Sequence, residues 1–159
     1  MPPIPVCPDC FDELVPALVE TTAPSGWVDL LISDIALSYP VPSSKSSDPC
    51  AGLAATVRVY DKTGPAEVCV VVTVKNIGSK AATGFWADLF LDESTAPAVG
   101  DSSAWYGLVS SLSAGGTATV VYSGLAMPEA WVDVVLDTTR SVTEYRESNN
   151  VRALTRSSP

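Results

Sequence analysis

Val68-Cys69-Val70-Val71-Val72-Thr73-Val74-Lys75-Asn76 is the stretch whose reading decides the fold. Branched side chains crowd the preceding turn of a helix but pack well on a pleated surface, so a run this rich in valine reads as a strand. Side chains alternate between the two faces of a strand. Val68, Val70, Val72 and Val74 therefore share the core face, and Cys69, Val71, Thr73 and Lys75 take the other. Asn76-Ile77-Gly78 then turns the chain.

The same period of two continues on both sides. Upstream, Trp27 to Leu37 places Val28, Leu30 and Ile32 on one face until Asp34 shifts the register, which reads as a first strand with a bulge. A Pro/Ser loop from Tyr39 to Gly52 leads to Ala55–Tyr60, and the turn signal Asp61-Lys62-Thr63-Gly64-Pro65 predicts a hairpin into the valine-rich strand. Downstream, strands are predicted at Phe85–Asp92, Ala104–Val109, Thr117–Tyr122, Ala130–Asp137 and Asn149–Leu154. Alternation and regular turn spacing predict an all-β, antiparallel β-sandwich of about 7–8 strands.

Composition agrees with one such domain plus appendages. At 159 residues the chain holds one proper core, and 13 Pro and 10 Gly punctuate its Val-, Ala-, Ser- and Thr-rich runs. A net charge of −9 disfavours nucleic acid and anionic lipid as partners. The absence of histidine removes the commonest general base and every Ser-His or Cys-His nucleophile pair, so no catalytic residue is assigned and no enzyme is expected. No apolar run reaches the roughly 18 residues that a membrane helix needs, so no membrane span is expected.

Residues 1–26 read differently, as an arm. Pro2, Pro3, Pro5, Pro8, Pro16 and Pro24 surround an apolar set, Ile4, Val6, Phe11, Leu14, Val15, Leu18 and Val19, that is too greasy for a free tail. Two readings stand for its middle: a helix with Pro16 in the first turn, or extended chain from Glu13 to Thr22.

Four cysteines, an even number, suit an oxidising and hence extracellular location. Cys69 faces away from the core and Cys50 sits in a loop that must return to that strand, so Cys50–Cys69 is the preferred bridge. Cys7 and Cys10 form a Cys-x-x-Cys that lacks the partners of a zinc or redox site, which leaves a local disulfide or a bridge out of the arm. Oxygen groups at Asp137, Glu144, Glu147 and Asn149 are the one weak calcium candidate, against the commoner role of pairing turn backbone. Asp88, Asp92 and Glu93 read as the polar side of a strand rather than as an acid and base pair. Trp86, Trp105 and Trp131 are the candidate outward aromatics for a binding surface or subunit contact.

The order of these motifs is itself informative. Asp29-Leu30 and Asp34-Ile35, Val72 to Gly78, Asp88 to Asp92, Leu112 to Gly115, and Val134 to Asp137 leading into Val142-Thr143-Glu144-Tyr145-Arg146-Glu147-Ser148-Asn149-Asn150 follow one another as they do in one family. From Trp27 to Thr155 the chain resembles CARDB, the cell-adhesion-related domain found in bacteria. The resemblance implies an immunoglobulin-like sandwich that serves adhesion or spacing, without catalytic residues or a cofactor. Residues 39–67 depart from the family's usual pattern as an insertion, and the arm lies outside it.

The expected role is therefore an extracellular or cell-surface protein of a prokaryote that joins things. In the first reading the arm packs on, or adds a strand to, a second copy of the chain and builds a homo-oligomer or filament. The alternative is a module, cut from a larger secreted protein, that binds polysaccharide or a cell-surface protein or acts as a spacer.

Overall fold

Period-two alternation buries one face of every strand, and two such faces cover each other in a sandwich. The computed structural model describes residues 11–15, 24–93, 95–97, 100–146 and 148–156. Its strands are β1 (Phe11–Val15), β2 (Leu30–Ser38), β3 (Val57–Tyr60), β4 (Val68–Asn76), β5 (Ala82–Leu91), β6 (Trp105–Leu112), β7 (Thr117–Leu125), β8 (Trp131–Leu136) and β9 (Val151–Arg156). One sheet has the order β1-β9-β8-β5-β6 and the other β2-β4-β7-β3. The chain is an all-β, immunoglobulin-like sandwich.

β4 lies inside the smaller sheet between β2 and β7. Val68, Val70, Val72 and Val74 are fully buried in the common core with Leu30, Ile32, Phe85, Leu89, Val120 and Val134. Each such side chain contributes about 1.5–3 kcal/mol by leaving water. Tyr122 on β7 crosses the core, and its buried hydroxyl donates to the carbonyl of Ala87 on β5, tying the two sheets together. Burial first, and the nearby Asp88 charge second, push this phenol well above its ordinary range.

The register of β2 against β4 slips between Ile32 and Asp34, which returns Ile35 to the core. Such a bulge leaves carbonyls outside the ladder. Arg152 of β9 reaches them from the opposite sheet, donating to Ile32 O at 2.8 Å and Ser33 O at 3.2 Å.

Two connections differ from the sequence expectation. β3 does not form a hairpin with β4; it pairs parallel to β7, from Val57↔Val120 to Tyr60↔Ser123, so the four-stranded sheet is mixed rather than antiparallel. The turn at Asp61–Pro65 instead carries the chain across the end of β7, where Asp61 N donates to Ser123 O and Glu67 N to Leu125 O. Glycines at both contact points allow the crossing: a Cβ on Gly64 would stand 1.5 Å from Gly124 O, and one on Gly124 only 1.9 Å from Asp61 O. The arm also enters the fold. Its segment β1 pairs antiparallel with β9 of the same chain, from Phe11↔Arg156 to Val15↔Ala153, at the edge of the five-stranded sheet. Residues 1–10 and 16–23, with Ile4, Val6, Cys7, Cys10, Leu18 and Val19 among them, lie outside the described residues.

Candidate functional site

Asn76 ends β4 and has no room to face solvent. Its Oδ1 accepts from Asp29 N at 3.2 Å and Gly78 N at 3.0 Å, while its Nδ2 donates to Lys80 O at 2.8 Å and Leu112 O at 3.2 Å. All hydrogen-bonding positions of the amide are used. Gly78 must be small, because a Cβ there would stand 2.1 Å from Trp27 O. Asn76-Ile77-Gly78 thus passes the chain from one sheet to the other beneath the start of β2.

The polar corner from Thr138 to Asn150 closes on the same point. Glu144 Oε1 accepts from Leu30 N at 2.7 Å, its Oε2 accepts from Asn150 Nδ2, and Tyr145 N donates to Val28 O at 2.8 Å. Arg146 donates through Nε and Nη2 to Asp29 Oδ2, at 2.9 and 2.6 Å, and Asn149 Nδ2 reaches Asp29 Oδ1 at 2.9 Å. Asp29 is fully buried, so this charge pair is screened little by solvent. Outside the clasp, Trp27 and Tyr145 meet with centroids 5.9 Å apart, and the Arg146 guanidinium lies 5.4 Å from the Tyr145 ring centre.

These contacts engage the described calcium candidates with backbone and side-chain partners of the chain itself. Asp137 accepts from Ser141 N at 2.8 Å, Ser141 Oγ at 3.0 Å and Val142 N at 3.1 Å, and holds the turn after β8. Glu144 and Asn149 serve the clasp, and Glu147 lies outside the described residues. Among the described residues no three acidic or cysteine groups gather as metal ligands. Asp92 is occupied in the same manner, accepting from the backbone N–H groups of Glu129, Ala130 and Trp131.

Cys50 and Cys69 are joined by a disulfide that packs with Val121 outside the main core and fastens the 39–56 loop to β4. Arg58 supports that loop by donating to the carbonyls of Cys50, Ala51 and Leu53.

The three tryptophans do not form one surface. Trp105 turns inward against the core, and its Nε1 donates to Asp61 Oδ2 at 3.2 Å, so it belongs to the crossover rather than to an outer face. Together with Thr63, this bond holds the Asp61 carboxyl below its ordinary range, the Thr63 hydroxyl contributing most. Trp131 is 44% exposed, at the end of β8 that pairs with Asp92. Trp86 stands across from Asp137. Trp86 and Asp92, which mark the two pairings, are six positions apart, a separation of about 20 Å in extended chain. Trp86 instead meets Tyr106, a diagonal neighbour on β6 and 55% exposed, with centroids 5.5 Å apart at 78°.

Comparison with known proteins agrees with this architecture. The CARDB family model matches residues 53–154. That match begins within the segment read above as an insertion and leaves out β2, although β2 completes the smaller sheet. Among solved structures, a CARDB domain from Pyrococcus furiosus, crystallised in complex with di-metal ions, is similar with a TM-score of 0.53 and 16% identity. The similarity covers 87% of this chain and 93% of that one. No curated protein matches the chain.

Proposed function

The chain belongs to the CARDB family, a cell-adhesion-related class of module, and on that premise we propose that it is a non-catalytic extracellular protein that links copies of itself through its N-terminal arm. One observation carries the reading: the arm supplies an edge strand. β1 occupies the open side of β9, and without it β9 would present unpaired N–H and C=O groups at the end of the five-stranded sheet. Strand addition draws its affinity from main-chain hydrogen bonds, which a second copy's β1 reproduces unchanged. Among the described residues, Gly26 is the first after β1 that is bonded to the rest of the sandwich, through Ser79 Oγ; residues 16–25, at roughly 3.3 Å per residue, span up to about 33 Å, enough to seat β1 on a neighbour. A strand passed from each copy to the next gives a head-to-tail contact that grows as a filament unless it closes on itself. The Cys50–Cys69 disulfide supports an oxidising, extracellular setting.

Light scattering on the full chain and on a variant lacking residues 1–26 tests this. The full chain is expected to form oligomers whose mass grows with concentration, and the truncated chain to remain a monomer. Equal mass for the two proteins sinks the proposal.

A further inference from the structure

The outer face of the five-stranded sheet carries a cleft of about 290 Å³ between β5, β6, the loop that leads into β6 and the turn after β8, lined among others by Trp86, Asp88, Asp101, Ser103, Tyr106 and Thr138. We propose that this cleft binds an organic ammonium group.

Three features of the cleft select that chemistry. The aromatic pair comes first. Trp86 and Tyr106 meet edge to face, so the ring that offers its edge has neither of its own faces covered by the other. An uncovered aromatic face attracts a cation through the negative potential of its π-system, and it does so best where water is partly excluded. The second feature is Asp88, two residues beyond Trp86 on the same face of β5 and paired with Tyr106 across the strands. Its carboxylate is buried and accepts from Thr138 Oγ1 at 3.3 Å, which fixes it at the wall of the cleft. Burial as the leading cause raises its proton affinity, as expected of a carboxylate that a nearby cation would favour.

The third feature is charge. Among the described residues the lining includes the carboxylates of Asp88 and Asp101 and no lysine or arginine, in a chain of net charge −9. Those carboxylates disfavour an anionic ligand. Size selects further: this volume lies at the lower end of small-molecule sites, which suits a single head group or a lysine side chain rather than a chain of sugars. Hydroxyls at Ser103 and Thr138 add polar contacts beside the carboxylate.

The test is a titration of the full chain with choline chloride at constant ionic strength, followed by the indole N–H signal of Trp86 in NMR, assigned with Trp86→Phe. Potassium chloride and methyl glucoside serve as counter-probes. Choline is expected to give a saturable shift, weakened about tenfold by Asp88→Asn and again by Tyr106→Leu, while potassium and the glucoside give none. Tyr106 is more than half exposed, so its replacement leaves the fold intact and keeps the test decisive should Asp88→Asn unfold. The proposal fails if choline causes no saturable shift, if both folded variants respond like the parent chain, or if the glucoside saturates in its place.

Discussion

Replacing Glu144 with alanine takes away the acceptor of the buried Leu30 N–H at the entry to β2, and removes one partner of Asn150 as well. A buried donor stripped of its partner costs about 1–3 kcal/mol, so Glu144→Ala is expected to lower the stability read from urea unfolding by roughly that amount. A loss under about 0.5 kcal/mol, the usual size for a surface change, would count against the clasp. Asp133 gives a second prediction at this scale. Burial first and the nearby Glu93 charge second push its carboxyl up to about 6. The folded chain then holds a proton that the unfolded chain releases, so this group contributes stability below about pH 4 and loses it as pH rises to about 6. Asp88 is raised as well and acts in the same direction. The difference between parent and Asp133→Asn therefore isolates the effect: the parent's melting temperature should fall more steeply between those pH values than the variant's. Parallel curves would refute it. The sequence made some of this legible. Glu144 and Asp137 were readable as turn residues from their Asn- and Ser-rich company. Asp29 gave no such signal, because its partner Arg146 stands 117 positions away. Asn76 was readable as the start of a turn, but its bonds to Leu112 O and Asp29 N, 36 and 47 positions away, were not.

The crossing of the 61–67 segment over the end of β7 decides which strand β3 joins, and Gly124 is one of its two glycine contact points. Gly124 has φ +77°, and an added Cβ would lie 1.9 Å from Asp61 O. Gly124→Ala therefore combines backbone strain with a clash against main chain, and should cost at least about 2 kcal/mol in chemical denaturation. A variant as stable as the parent would mean that the crossing does not depend on close backbone approach. Elements themselves were readable because each is a local pattern: the valine alternation of β4, the shift at Asp34 in β2, the aromatic alternation of β5. The partner of β3 was not, since a turn at Asp61–Pro65 looks the same whether the chain folds back on itself or steps over a neighbour. Trp105 went astray for a related reason. Alternation says that Trp105 and Tyr106 face opposite ways, but only the position of β3 beneath β6 tells which of them meets the core.

At the scale of the whole molecule, the sandwich has one edge closed by a segment that lies far from it in sequence. β1 and β9 are the first and last strands among the described residues, so their pairing has the longest sequence separation in the described sheet and closes its largest loop. Closing a longer loop costs only slowly more entropy, about 0.6 kcal/mol per doubling, and exchange with a neighbour replaces that cost by one set by concentration. Pairing within the chain sets Val15 opposite Ala153; the proposed pairing between two chains would keep that register, and cysteines at those positions separate the two cases. Val15→Cys and Ala153→Cys, purified apart, mixed and oxidised, are expected to give covalent dimers that join one variant to the other, in a yield that rises with total concentration. The double variant should give a ladder of covalent multimers in place of a single monomer band. Monomers alone in both experiments would restrict β1 to its own sheet and remove the assembly reading, while leaving the sandwich, its clasp and its cleft as described.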